Sequence, residues 1–206
     1  MSHGSTPARA SGRMNVAESL YIVSRLRTQR LRQGVVPTLV ELGGRVDGQD
    51  VLDIGCGPGE CVACEIDDMG AASVTAIDID PKMVRRARRR LAHYGSRATV
   101  AHGDVTSLEQ ADGSVDAVFN FAVLHHVPDW RAGLREIARV LAPGGRLFSQ
   151  DHDVANHDWI SQRLFRHPPD RFTNAELLAE VEAVGLVPIG VEDRPEQLLV
   201  VARKPG

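Results

Sequence analysis

Long apolar runs are missing from this chain of 206 residues. The longest are of the order of Leu198–Ala202, far short of the ~20 residues that cross a bilayer, so no membrane span is expected. A basic surplus is missing too: the formal net charge is −3, which argues against a dedicated nucleic-acid binder. Lysine is almost absent; the positive charge rests on 22 arginines and two lysines, Lys82 and Lys204. Cysteine is sparse and bunched at Cys56, Cys61 and Cys64, an odd set that makes a poor disulfide framework. No secretory apolar region precedes it, so a reducing, cytoplasmic setting is the expectation. Aromatics are 4% of the chain, and no internal repeat or low-complexity linker is present. Hydrophobic residues at 43% and charged residues at 25% are ordinary, which excludes a disordered or collagen-like chain.

What is present reads as one domain. Residues 1–13 show no period and are expected to be disordered. Val16–Leu42 reads as one or two helices, interrupted at Gly34–Pro37, and residues 14–44 are expected to form a helical lid over a substrate cleft. The domain proper is placed at 45–206. There, short apolar strands alternate with helices: Val51–Ile54, Ser73–Asp78, Ala98–His102, Val115–Asn120 and Arg146–Gln150. Helices are expected over Glu60–Met69, Pro81–His93 and Trp130–Leu141, with a weak helical turn at Thr106–Gln110. Continuously apolar strands suit a sheet covered on both faces, so the fold class is α/β, a doubly wound parallel sheet. A further helix, Thr173–Val184, opens with the Thr173/Glu176 capping-box pattern. Two last strands, Leu186–Glu192 and Gln197–Arg203, are linked so briefly that they should form an antiparallel hairpin.

The glycine triplet Gly55-x-Gly57-x-Gly59 directly follows a strand and opens a helix. Glycines there let the backbone turn sharply and approach a ligand. Asp78 lies 23 residues beyond Gly55 at the end of the next strand, where a carboxylate can accept from a ribose diol. The dinucleotide fingerprint spaces its glycines differently, to admit a pyrophosphate. Asp53, two residues before Gly55, repels phosphate and suits a cationic amine.

These segments resemble class I S-adenosylmethionine-dependent methyltransferases, of the small-molecule, ubiquinone-biosynthesis-like type. The resemblance rests on Val51–Gly59, Ala76–Asp80, Gly103–Val105, Leu124–Asp129 and Leu141–Leu147, and it covers about residues 45–203. It implies a Rossmann-like seven-stranded sheet, order 3-2-1-4-5-7-6, with strand 7 antiparallel. S-adenosylmethionine is the implied cofactor and a small molecule the implied acceptor. By the same resemblance, Gly55 and Gly57 lie against the methionine moiety and Asp53 anchors its amine. Asp78 holds the ribose, Ile79 packs on adenine, and Asp104 and Val105 meet its edge. Asn120 and Phe121 flank the methionine tail.

Methyl transfer asks the protein for position, desolvation and, for a hydroxyl acceptor, a base. His125, His126, His152, His157 and His167 all fall at or after strand ends, where such sites form. His126 and His152 are the catalytic candidates, with a neighbouring carboxylate to fix the tautomer. His and Asp at adjacent strand ends could hold zinc or iron as a minor alternative, but no metal is expected. Cys61 and Cys64 read as packing inside a helix. The run Arg85, Arg86, Arg88, Arg89 and Arg90 reads as a solvated face over the buried stripe Val84, Ala87 and Leu91, with an RNA or an acidic carrier protein as the sharper alternative. Tyr21, Arg25, Arg27, Trp159, Phe165 and Phe172 are expected near the acceptor. The expected function is methyl transfer in bacterial, secondary metabolism. Two alternatives stay open: a reaction of the same fold without methylation, such as cyclisation, or a non-catalytic partner subunit. A homodimer is left open.

Overall fold

The computed structural model describes residues 29–153, 172–195 and 197–206. The expectations for residues 1–28 and for Trp159, Phe165, His157 and His167 lie outside them. Seven strands form one sheet: β1 (Asp50–Ile54), β2 (Ser73–Asp78), β3 (Ala98–His102), β4 (Val115–Phe121), β5 (Leu141–His152), β6 (Val187–Arg194) and β7 (Gln197–Arg203). Their order is β3-β2-β1-β4-β5-β7-β6, as the resemblance implies. β1 to β5 pair in parallel, and β7 runs antiparallel between β5 and β6.

Among the described residues five α-helices cover the sheet: α1 (Val36–Gly43), α2 (Glu60–Asp67), α3 (Pro81–Leu91), α4 (Trp130–Val140) and α5 (Asn174–Ala183). The period-2 alternation of the strands divides the core into two layers. One holds Val51, Phe119, Phe148 and Val201 with Leu39, Val62 and Ala87 from α1, α2 and α3. The other holds Leu52, Val118, Leu147 and Val200 with Leu134 and Leu177 from α4 and α5. Phe119 and Phe148 stack across the β4–β5 pair with centroids 4.7 Å apart.

Side-chain caps fix where α3, α4 and α5 begin. Asp80 accepts from Lys82 N–H and Asp129 from Ala132 N–H, at 2.8 and 2.9 Å. Thr173 and Glu176 form the full reciprocal capping box, as expected. In α3 the buried residues are Met83, Val84, Ala87 and Leu91, so the arginines do lie outward. Arg88 donates to Val100 O and Arg90 to Glu60.

Three expectations need correction. Gly34–Pro37 does not break the helix. A single π-turn, Leu31–Val35, carries Val36 N–H to Leu31 O, and α1 continues through Pro37. A proline ring clashes with the carbonyl four residues back, and the widened turn accommodates it. Leu31, Val36 and Leu39 are core residues, and a side chain at Gly190 would strike Leu42, so residues 31–43 are built into the domain. No helix forms at Thr106–Gln110. Asp104 accepts both Thr106 N–H and its hydroxyl and folds the chain into a turn, a side chain outcompeting the helical backbone bond. Phe172 is fully buried against Trp130, centroids 4.8 Å apart, and belongs to the core.

Among the described residues no helix is long and apolar enough to cross a membrane. None of their His, Cys, Asp and Glu residues form a group of three or more able to hold a metal.

Candidate functional site

The strands β1, β2 and β4 end on one side of the sheet, beside a cavity of about 370 Å³. That volume is in the range of small-ligand sites. The turn after β1 forms one wall. Gly55 takes φ +63°, and a Cβ there would lie 2.5 Å from a methyl of Val123. Only glycine lets the loop pass so close to the segment after β4. Gly57 N–H donates to Asp78 Oδ2 and Asp80 N–H to Oδ1, both at 2.8 Å. Burial raises the Asp78 carboxyl above its ordinary range, and these two N–H groups partly offset that.

Most of the anticipated cofactor residues line this one cavity. Gly55, Gly57, Asp78 and Ile79 come from the first two strand ends, Asp104 and Val105 from the turn after β3, and Phe121 from β4. Ile79 is 53% exposed, an apolar plate beside the Asp78 carboxylate. Cys56 and Cys61 also line it; all three cysteines are free and buried. Burial raises the Cys56 thiol, and burial likewise lifts Cys64 to about 11, which makes both poor nucleophiles.

Asp53 is buried and not part of the cavity wall. It shares the Val51 face of β1, toward α2, where Glu65 is also fully buried. Both Glu65 oxygens are without a hydrogen-bond partner among the described residues. Burial, then the charge of Asp53, raises the Glu65 carboxyl well above its ordinary range.

Of the two catalytic candidates, His126 lines the cavity and His152 does not. Their neighbour His125 pairs with a carboxylate. His125, on the 3-10 turn Leu124–His126, meets Asp151 of β5 through Nδ1. Its ring lies 4.0 Å from that of His126 and 5.3 Å, edge-on, from that of His152. Asp151 is fully buried and also accepts from Asn120 Nδ2, Leu124 N–H and His152 N–H, at 2.9, 3.0 and 2.9 Å. Burial alone would raise this carboxyl. The charge and hydrogen bond of His125, with Asn120 and His152, outweigh it and bring Asp151 down to about 2. Asn120 is not in the cavity wall either; it is fully buried behind it.

Strand order, glycine turn and acid at the β2 terminus define a Rossmann-like protein with a site for an adenosine-bearing cofactor. Comparison with known proteins narrows the class. A methyltransferase-domain family model matches residues 51–145. The ubiquinone biosynthesis O-methyltransferase of Xanthomonas euvesicatoria is 38% identical over 169 residues, 76% of this chain and 68% of that protein. The 27-O-demethylrifamycin SV methyltransferase of Amycolatopsis mediterranei is 41% identical over 102 residues, 48% of this chain and 37% of that protein. Among solved structures, an S-adenosylmethionine-dependent methyltransferase from Mesorhizobium loti superposes with TM-score 0.68 at 23% identity, over 84% of this chain and 99% of that one. This last likeness speaks to the fold. The chain belongs to the class I S-adenosylmethionine-dependent methyltransferases, and S-adenosylmethionine is the family's cofactor. It spans about half the length of several curated relatives it matches.

Proposed function

We propose that this chain binds S-adenosylmethionine in the cavity and methylates a hydroxyl oxygen of a small-molecule acceptor. The cavity suits the cofactor chemically: it sets a carboxylate (Asp78), an apolar plate (Ile79) and a second carboxylate beside a backbone N–H (Asp104, Val105) along one wall. Asp78 would accept from the ribose diol and Ile79 would pack on adenine, with Asp104 and Val105 at its edge. Gly55, Gly57 and Phe121 would enclose the methionine end. Asp53 would act on the amine from beneath the loop, by charge. Bound there, the cofactor supplies a methyl group activated on a sulfonium.

The observation that carries the oxygen assignment is the His125–Asp151 pair. A hydroxyl is a weak nucleophile until its proton is drawn away, and a histidine paired to an ionised carboxylate is suited to take it. Asp151 holds the ring with Nδ1 protonated, so the proton is taken at Nε2. Low exposure, 6% at His125, keeps bulk water from competing. His126 in the wall would contact the acceptor, and His152 would back the His125 ring. Two relatives support the reading, since the names of both specify oxygen. The rifamycin relative also points to bacterial secondary metabolism as the source of the acceptor.

The test is production of S-adenosylhomocysteine with a panel of phenols, aliphatic alcohols and amines, with products identified by mass spectrometry. O-methyl products, lost about 10²–10⁴-fold in His125→Asn, support the assignment. N-methyl products, or full turnover in His125→Asn, overturn it. An altered substrate without S-adenosylhomocysteine would point to a reaction other than methylation.

A further inference from the structure

The resemblance implies that Asn120 flanks the cofactor's methionine tail. Its hydrogen bonds point elsewhere. Asn120 is fully buried on β4, and the register pairs it with Ser149 of β5. Alternation along β5 puts Asp151 on the same face as Ser149. Asn120 Nδ2 donates to Ser149 Oγ at 2.8 Å and to Asp151 Oδ2 at 2.9 Å. Asn120 Oδ1 accepts from Val123 N–H at 3.1 Å, just before the 3-10 turn that carries His125. Both amide hydrogens and the carbonyl are therefore engaged within the protein.

These partners explain the residue type. A carboxylate must be met by a donor, and a backbone N–H by an acceptor. Only an amide of this length serves both. Aspartate would set two carboxylates against each other. Leucine would leave Val123 N–H and one Asp151 lone pair unsatisfied. The same contacts fix the amide orientation, because a flipped Asn120 would aim Nδ2 at a backbone donor.

We propose that Asn120 is a positioning residue: it ties Asp151 on β5 to the turn at 123–126, so that His125 meets Asp151 through Nδ1. Ser149 holds the second amide hydrogen and keeps Asn120 facing that way. The backbone shows how closely this segment is defined. Ala122, between β4 and the turn, takes φ +61°, and its N–H donates to Gln150 O at 2.7 Å. A non-glycine residue persists in that region only where its surroundings fix it. The consequence for turnover rests on the His125 base assigned above; the placement of Asn120 does not.

The experiment uses the full chain and needs no acceptor. Asn120→Asp is nearly isosteric and forces a second carboxyl against Asp151, so the two must share a proton. Nitrogen-15 NMR of the histidine rings reads the tautomer of His125, and calorimetry reads affinity for S-adenosylhomocysteine. In the wild type, neutral His125 is held as the Nδ1–H form. In Asn120→Asp, that signal moves toward a mixture of tautomers, while affinity stays within about twofold of wild type. Ser149→Ala, which leaves the strand pairing in place, moves the signal less and in the same direction. A tenfold or greater loss of affinity in Asn120→Asp with unchanged His125 signals would make Asn120 a cofactor contact and overturn the proposal. Unchanged signals with unchanged affinity overturn it equally. Failure of the base assignment appears separately, as full turnover in His125→Asn.

Discussion

Val123 occupies the space that a side chain on Gly55 would need: a Cβ there would sit 2.5 Å from one of its methyls. The glycine turn after β1 and the segment after β4 are thus packed against each other, and the cavity lies beside that contact.

Gly55→Ala should therefore cost more than a backbone penalty. The left-handed conformation costs an alanine ~1–2 kcal/mol, and overpacking adds ~1–3 kcal/mol. Gly144 also has positive φ but nothing within 4 Å of its would-be Cβ, so Gly144→Ala should lose only the first amount. Urea unfolding of the two variants checks the difference. Calorimetry should show S-adenosylhomocysteine binding lost in Gly55→Ala and kept in Gly144→Ala.

Asp78 is predicted to make cofactor binding sensitive to acid. Its carboxyl is raised by burial, so protonation begins at higher pH than for an exposed aspartate. The ionised form is the better acceptor for a ribose diol. Affinity for S-adenosylhomocysteine should fall as pH drops from neutral into the acid range. Asp78→Asn should bind about tenfold to a hundredfold more weakly, the scale of one charged hydrogen bond, with a flat pH dependence. Equal pH dependence in both proteins would assign the effect elsewhere.

Glu65 should make the fold less stable as pH rises. In strong acid both folded and unfolded chains carry the protonated group and no penalty arises. Above the ordinary carboxylate range the unfolded chain ionises while the buried group, raised by burial and by Asp53, keeps its proton. Stability then falls with pH until the buried group ionises. Glu65→Gln removes that slope. Denaturant midpoints should coincide near pH ~4 and favour the variant at alkaline pH; a variant less stable at alkaline pH would show that the carboxylate has a stabilising partner.

Thr173→Ala should remove both hydrogen bonds that the Thr173 hydroxyl makes with Glu176, leaving only the backbone N–H of residue 173 on the Glu176 carboxylate. The expected loss is ~1 kcal/mol, seen as a lower thermal midpoint with little change in cofactor affinity.

The sheet was legible because its strands carry their signal locally. Val51–Ile54, Ser73–Asp78 and Ala98–His102 are short and bounded by turn residues, and each forms the strand expected. The cavity was legible for a related reason. Asp78, Ile79, Asp104 and Val105 sit at or just after strand ends, so strand boundaries place them. The His125–Asp151 pairing was not. His125 and His126 are adjacent on a 3-10 turn, where successive side chains point about 120° apart. That His125 meets Asp151 depends on where β5 lies, and that is a tertiary fact. The inward bonds of Asn120 are hidden from the sequence for the same reason, since they exist only once the register pairs it with Ser149. Gly34–Pro37 looked like a helix end because a π-turn has no distinct composition.

The position of β7 has a consequence for assembly. Among the described residues β6 pairs only with β7, so it has no place in the sheet until β7 arrives. The β6–β7 hairpin closes over a very short connection, whereas docking β7 on β5 closes a loop that contains all of α5. Local closure is the faster event. The hairpin is then expected to form first and dock as a unit by its β7 edge. Until it does, β5 is an open edge bearing Leu147 and Phe148, the interval in which a nascent chain is most exposed to pairing with another copy of itself.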